Sequence, residues 1–130
     1  MSERQLQVGD NVKANYKTGE YLGELVQYSE PKAVVKILAV LKHPDQGDLH
    51  HTMEVDVPFF HQRRALSYQE KALIPLYSIQ FYDREIPDYT TSLKYAIQTE
   101  MIMLQKTEQW AKRCNAELAI LLNEYFPEKS

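Results

Sequence analysis

The side chains of this sequence that could do chemistry are concentrated in one stretch, residues 42–64. It holds all four histidines, four carboxylates and two adjacent arginines: His43, His50, His51, His61, Asp45, Asp48, Glu54, Asp56, Arg63 and Arg64. Imidazoles and carboxylates are good metal ligands, so this density first suggests a metal site. The spacing argues against it, because there is no HExxH and there are no paired cysteines. His50 and His51 are adjacent and would point to opposite faces of an extended chain. We therefore predict no metal and no cofactor.

The same polar residues have a structural interpretation. Pro44 and Gly47 exclude regular structure up to about residue 48, so this part of the stretch is predicted to be a loop. We expect His43 and His50 to form hydrogen bonds across the loop, with Asp45 or Asp48 as their partners. The polar side chains then hold a surface in shape and do no chemistry themselves.

Nucleophilic catalysis would need a serine or the cysteine beside one of the histidines. The nucleophiles that the chain offers are Ser67, Ser78, Ser92 and Cys114. No GxSxG elbow surrounds any of them. Only four glycines are present, and no glycine-rich phosphate loop occurs among them. We predict no catalytic residues and no enzymatic activity.

Binding to another protein is the function that residues 42–64 suit best, because aromatic and arginine side chains are enriched at interfaces. Phe59 and Phe60 are adjacent and should diverge, one into the core and one partly exposed. The predicted contact surface comprises eight residues on the loop and the segment after it: Lys42, His43, Asp48, His50, Phe60, His61, Arg63 and Arg64.

Composition narrows the classes of partner. The 15 basic and 18 acidic residues give a net charge of −3, without the basic patch of a nucleic-acid-binding protein. The N-terminus is polar and no apolar run reaches the ~20 residues that cross a bilayer. Cys114 is the single cysteine, which fits a reducing compartment. We expect a cytoplasmic protein without direct membrane insertion.

Short strands with turns between them fill the first two thirds of the chain. Residues 8–28 alternate as a hairpin, with Gly23 predicted at a bulge or a close backbone approach. Residues 33–41 form an apolar, valine-rich central strand, and residues 52–57 alternate as a further strand. Residues 72–74, Pro75, a 3₁₀-like turn and residues 79–82 close the pattern. About five strands without an intervening helix predict a small SH3-like β-barrel over residues 1–87.

A helical extension is predicted over residues 88–130. Asp88 is a good N-cap, and residues 89–126 contain no glycine or proline. One helix of this length would exceed a small barrel, so it either breaks near residues 105–107 into a helical pair or packs its overhang on another chain. A homodimer through this helix is one such arrangement. Trp110 is either a packing residue on a second face or an exposed interface anchor.

Four phrases of the sequence resemble the kinase-associated protein B (KapB) family of spore-forming bacilli. They are YKTGEYLGE (16–24), VVKILAVLKHPDQGDLH (34–50), VDVPFFHQRRAL (55–66) and IPDYTTSL (86–93). The resemblance implies an SH3-like barrel and a non-enzymatic regulatory role. It implies support for activation of a membrane sensor histidine kinase, KinB, in the sporulation phosphorelay. Family members have been called lipoproteins, but this N-terminus offers no cysteine to accept lipid, so the kinase is expected to supply any membrane association.

A generic SH3-like binding module is the alternative. Tyr16 and Tyr21 lie in a hairpin similar to the opening hairpin of Tudor domains, in which aromatic residues recognise methylated arginine or lysine. Both tyrosines are equally consistent with packing in the barrel, so the hairpin alone does not separate the two functions.

Overall fold

The computed structural model describes residues 5–50 and 53–127. Five strands form one antiparallel sheet in the order β4-β3-β2-β1-β5. A 3₁₀ turn, Leu76–Ser78, joins the last two strands, and one long helix follows the sheet. The elements are β1 Asn11–Tyr16, β2 Gly19–Gln27, β3 Lys32–Lys42, β4 Lys71–Pro75, β5 Ile79–Phe81 and α1 Tyr89–Tyr125. The predicted hairpin, central strand, closing turn and helix start are therefore confirmed.

The hydrogen bonds of the sheet do not run round in a ring. Among the described residues, β4 pairs only with β3 and β5 only with β1, so the sheet has two edges. Closure into a barrel stays a prediction. The chain divides into two compact units, Met1–Ile97 and Gln98–Ser130, so the first turns of α1 belong to the unit that contains the sheet.

Gly23 lies where β2 and β3 approach most closely. A Cβ built on this residue would meet the carbonyl oxygen of Lys36 at 2.3 Å. The pairing of β2 with β3 also shifts register between Leu22 and Gly23. Glycine is required here because any side chain would collide with the neighbouring backbone. The predicted close approach is confirmed.

The core of the first unit comes from alternate positions of the strands. On β3, Val35 and Ile37 are fully buried and Lys36 between them is partly exposed. The first turns of α1 join this core through Ser92, whose Oγ accepts a hydrogen bond from the amide of Val40 at 3.0 Å. The first turn of the helix is thereby fixed to β3.

Two predictions about regular structure fail. The expected strand at 52–57 is absent from its described part, because residues 53–70 contain no helix or strand. Met53 has a φ of +69°, which breaks an extended backbone, and Pro58 cannot donate to a ladder. Thr52, its expected first residue, and His51 lie outside the described residues. The helical pair is not formed either, since α1 is continuous through residues 105–107, none of which is a strong helix breaker.

The second unit consists, where described, of helix and two residues beyond it. Its apolar side chains, including Leu104, Trp110 and Leu118, are exposed in the single chain. Among its described residues, only Glu100 and Cys114 are partly buried. Trp110 is therefore an exposed residue and not a packing residue on a second face, the other alternative that the sequence left open.

A candidate protein-binding surface on the long connection

The connection between β3 and β4 is about 28 residues long and contains no helix or strand in its described part. Irregular segments of this length within a compact unit are usually functional or disordered. This one is held by specific contacts. Gln46 is bound to the backbone of Arg63 at both ends of its amide: Oε1 accepts from the Arg63 amide at 2.8 Å and Nε2 donates to the Arg63 carbonyl at 2.9 Å. The side chain thereby pairs two segments as a strand neighbour would.

The guanidinium of Arg63 reinforces the same junction. Its Nη1 donates to the carbonyl oxygen of Asp45 at 3.2 Å and to that of Gly47. The amide of Gly47 in turn donates to the carbonyl of His61 at 2.9 Å. Charged donors make stronger hydrogen bonds than neutral ones. Arg63, a predicted contact residue, therefore has a structural role within the connection.

Gly47 permits the turn that brings these segments together. Its φ of +97° lies in the region that favours glycine. A Cβ there would also stand 3.0 Å from the ring of Phe60. The ring of Phe60 is thus positioned over a bare stretch of backbone while 57% of the residue stays exposed.

The start of the connection is tied to the β1–β2 turn by Lys42, Asp45 and Thr18. Lys42 Nζ donates to the carbonyl of Thr18 at 3.0 Å and to Asp45 Oδ1 at 2.9 Å. The amide of Asp45 donates to Thr18 Oγ1 at 2.8 Å. Lys42 is partly exposed, but its charge is already paired within the chain. It too holds the loop in shape.

The far end of the connection is fixed at Leu66, whose backbone forms hydrogen bonds with two tyrosine hydroxyls. The amide of Leu66 donates to Tyr21 Oη at 3.2 Å, and Tyr89 Oη donates to the carbonyl of Leu66. Burial raises the pKa of Tyr21 above its ordinary value, and burial followed by the charge of Glu70 raises the pKa of Tyr89. Both hydroxyls consequently stay protonated over the physiological pH range.

The histidines contribute differently from the prediction. His43 Nδ1 lies 3.0 Å from the carbonyl of the adjacent Pro44 and makes no bond across the loop. At residue 50 it is the backbone amide that donates, to Asp48 Oδ1 at 2.9 Å. The Asx-type bond of Asp48 is short-range, so the cross-loop bonds come from Gln46 and Arg63 instead. Sequence reasoning missed Gln46, whose only signal is a polar side chain next to the turn glycine.

The aromatic side chains of the connection face outward. Phe59 and Phe60 are 68% and 57% exposed, so the expectation that one enters the core is wrong. Gly47 has no side chain and supports only one face of Phe60, and the neighbouring extended backbone leaves the other ring outside. The ring of His61 stacks on Phe59 with centroids 6.0 Å apart and planes 14° apart. His50 and Arg64 are also exposed.

Met53 and Val55, two apolar residues of the segment that was expected to be a strand, are exposed as well. We define the loop surface as seven of the exposed side chains of this connection. Its members are His50, Met53, Val55, Phe59, Phe60, His61 and Arg64. Of the eight predicted contact residues, the structure therefore exposes four and uses the polar groups of Lys42, Asp48 and Arg63 inside the connection; His43 is partly exposed.

Other kinds of site receive less support from the geometry. Within residues 5–50 and 53–127, no three His, Cys, Asp or Glu side chains come close enough to share a metal ion. Tyr21 is only 1% exposed and cannot line an aromatic cage. A cleft of about 460 Å³ lies at the start of the helix, within the first unit. Its lining residues are Leu38, Tyr68, Ile86, Pro87, Asp88, Tyr89 and Thr90, and the carboxylate of Asp88 is already bound to the amide of Thr91 at 3.0 Å.

Comparison with known proteins agrees with the family resemblance. Residues 16–126 match the family described as Kinase associated protein B. The chain is 47% identical over 121 residues to "Kinase-associated lipoprotein B" of Bacillus subtilis (strain 168), covering 92% of this chain and 94% of the relative. Its fold is similar to the X-ray crystal structure of kinase-associated protein B from Bacillus cereus, with a TM-score of 0.69 and 39% identity. That alignment covers 93% of this chain and 98% of the other.

None of the helices in the described part of the chain has the length and hydropathy needed to cross a bilayer. The structural match extends over the sheet, the long connection and the helix, because it leaves out only a small fraction of either chain. All four phrases that carry the resemblance fall within the matched residues. The chain belongs to the kinase-associated protein B family.

Proposed function

We propose that this protein is a non-enzymatic regulator that supports activation of a sensor histidine kinase of the KinB type, acting by direct contact in the sporulation phosphorelay. Family membership supports a kinase-associated role. In this proposal the chain works in the cytoplasm and the kinase holds it near the membrane. An SH3-like barrel over residues 1–87 carries the contact, and residues 88–130 form a helical extension.

The loop surface is the contact that we propose. The observation that carries it is a pair of exposed phenylalanines on a connection whose backbone is fixed by hydrogen bonds. Exposed aromatic rings cost free energy in a monomer but provide binding free energy once a partner covers them. Because Gln46 and Arg63 already order the backbone, little conformational entropy is lost when the partner binds.

Activation requires a difference in affinity between two states of the kinase. A partner that bound the active and inactive conformations equally would shift nothing. A tenfold rise in the active population needs about 1.4 kcal/mol of differential binding, which one well-buried aromatic side chain can supply. A small rigid surface is therefore sufficient, and no chemistry in this protein is needed.

The test is a reconstituted autophosphorylation assay with the kinase and purified variants of this protein. Combined Phe59→Ala and Phe60→Ala changes should reduce stimulation at least about tenfold, because they remove the two exposed rings. Arg64→Ala should reduce it less. Tyr77→Ala and Arg84→Ala are matched controls, since both residues are exposed on other parts of the first unit, and they should leave stimulation unchanged.

Each variant is checked by thermal unfolding, so that a lost contact is distinguished from a lost fold. The loop surface would be excluded as the contact if the double phenylalanine variant, folded as stably as the parent, stimulated the kinase in full. The regulatory function itself would be excluded if the parent protein neither bound the kinase nor changed its autophosphorylation.

A peptide-binding or methyl-binding module is the competing function. Tyr21, one of the two tyrosines on which it depended, is buried with its hydroxyl bound to Leu66. Lys17 Nζ lies 5.4 Å from the ring centroid of Tyr16 and so occupies a cation position over the other ring. Titration with methylated lysine and arginine peptides tests this alternative, and we expect no saturable binding.

A further inference from the structure

We define the helical unit as residues 98–127, which are the later part of α1 and the two residues after it. We propose that this unit pairs antiparallel with the same unit of a second copy of this chain. The first observation is the area of apolar surface. Nine large apolar residues lie on one half of the circumference: Met101, Met103, Leu104, Trp110, Leu118, Leu121, Leu122, Tyr125 and Phe126. Their exposed fractions run from 37% to 71%.

This surface is large enough for a stable interface. Taking roughly 200 Å² for each whole side chain, the exposed fractions amount to roughly 1,000 Å² per copy. The largest apolar patch on a typical monomer is roughly 300–600 Å². A standard protein–protein interface buries roughly 800 Å² on each partner. The helix thus presents about the area that a specific dimer needs.

We call these nine residues the stripe. Their arrangement along the helix points to a second copy of the chain as the partner that covers them. Leu104 and Leu118 lie seven residues on either side of Ala111, which puts both on the same face as Ala111. Small residues, Thr107 and Cys114, separate the leucines from the centre. A two-fold axis near Ala111 would place Leu104 and Leu118 at the two ends of the contact and the small residues between them, with Trp110 on one flank. Such a surface is its own complement, as a two-fold interface requires.

The charges favour the antiparallel orientation. Glu108 and Lys112 form an i,i+4 ion pair of 3.3 Å along one flank of the apolar half. Glu108 lies three residues before Ala111 and Lys112 one residue after it, so an antiparallel partner brings its Lys112 near Glu108 and its Glu108 near Lys112. A parallel partner would instead present its other flank, which carries Met103, Trp110 and Leu121, and would cover both charges without opposing charges of its own.

The opposite half of the helix provides a matched control. Ile102 and Ile120 are 52% and 55% exposed, close to the 60% of Leu104 and Leu118, but they lie on the far side of the circumference. A glutamate at either kind of position adds the same charge to the same helix. Only those on the stripe should disturb the pair.

The experiment measures the mass of the full chain by analytical ultracentrifugation at concentrations up to the order of 100 μM. The parent should show twice the 15.2 kDa of one chain. The Leu104→Glu, Leu118→Glu variant should raise the dissociation constant at least about tenfold. The Ile102→Glu, Ile120→Glu variant should associate like the parent. Circular dichroism of both variants verifies that the helix is retained.

Orientation is measured separately with a spin label at Asn123→Cys in a Cys114→Ser background. Antiparallel pairing about Ala111 puts the two labelled positions roughly 36 Å apart along the axis, and parallel pairing puts them within roughly 10–20 Å. A monomer at the highest concentration, a dimer that survives the leucine changes, or a short label distance would each overturn the proposal.

Discussion

The connection between β3 and β4 and the helical unit satisfy their backbone polar groups in different ways. In the connection, the backbone has no ladder, so side chains of Gln46, Arg63 and Lys42 satisfy its polar groups. In the helix, the backbone satisfies itself, and the charged side chains only pair with one another at i,i+4, as Arg113 does with Glu117. Polar side chains therefore hold the backbone in the connection, whereas those of the helix contribute little to the free energy of folding.

The apolar residues of the two regions also differ in what they reveal. On the connection, the adjacent Phe59 and Phe60 are exposed on a fixed irregular backbone, which suits a partner with a complementary surface. On the helix, the exposed apolar residues recur over the whole length in a symmetric order, which suits an identical partner. The difference teaches that an exposed aromatic residue has to be interpreted together with the backbone that carries it.

The largest expected difference between the regions comes from two arginines. Arg63→Ala removes two charge-assisted bonds to the carbonyls of Asp45 and Gly47 and should lower the free energy of unfolding by about 3 kcal/mol. Arg113→Ala removes only an exposed helix pair and should change it by about 0.3–0.5 kcal/mol. Urea unfolding of both variants measures the contrast. Equal values for the two would contradict the structural role of the connection's polar residues.

A smaller effect is expected from the turn glycine of the connection. Gly47→Ala forces an alanine into a backbone with φ of +97° and brings its Cβ within 3.0 Å of the Phe60 ring. We expect a loss of about 1–2 kcal/mol, because the ring has room to move but the backbone strain stays. Thermal unfolding checks the stability. Gly9→Ala is the control that has a similar φ of +98° with nothing near its Cβ, and the difference between the two isolates the contact with Phe60.

The smallest effect is expected at Tyr89, which holds the far end of the connection. Tyr89→Phe leaves the carbonyl of Leu66 without its hydroxyl donor and should lower the free energy of unfolding by about 1 kcal/mol. Tyr95→Phe, on an exposed residue of the same helix, should have no measurable effect.

The same residue gives a pH dependence with a defined sign. Burial and Glu70 raise the folded-state pKa of Tyr89 above the unfolded value of about 10. The unfolded chain therefore loses this proton first, so the contribution is complete below about pH 10 and declines as the pH rises through the folded-state pKa. The stability gap between the parent and Tyr89→Phe should narrow above pH 10 in urea unfolding. A gap that widened with pH would show that Tyr89 is stabilised in its ionised form.

Much of the fold could be predicted because its signals are local. Alternation gave β1, the apolar, valine-rich run gave β3, Pro75 gave the end of β4, and Asp88 gave the start of α1. The strand predicted at 52–57 failed because alternation describes only which side chains share a face. A strand also needs a neighbouring strand, and the described part of this segment belongs to no strand of the sheet.

The sequence pointed to this connection but not to all of the side chains that hold its backbone. The histidines and Arg63 attracted attention because their chemistry is conspicuous. Gln46, which makes two of the bonds that hold the connection, has no such signal. Which polar group meets which backbone atom depends on how residues about 17 positions apart fold back on each other, and no local pattern contains that.

The sequence by itself determined the order of strands and helix, the glycine at the β2–β3 contact, the helix cap and the family, because each depends on residues close together or on a run of identities. Only the tertiary structure decided that Arg63 is bound to backbone within the connection and Lys42 to backbone of the β1–β2 turn, while Phe59, Phe60 and Met53 are exposed. The physical reason is that burial and hydrogen bonding are settled by distant neighbours. The stretch that first suggested metal chemistry instead combines exposed aromatic side chains with a set of internal hydrogen bonds that hold its backbone.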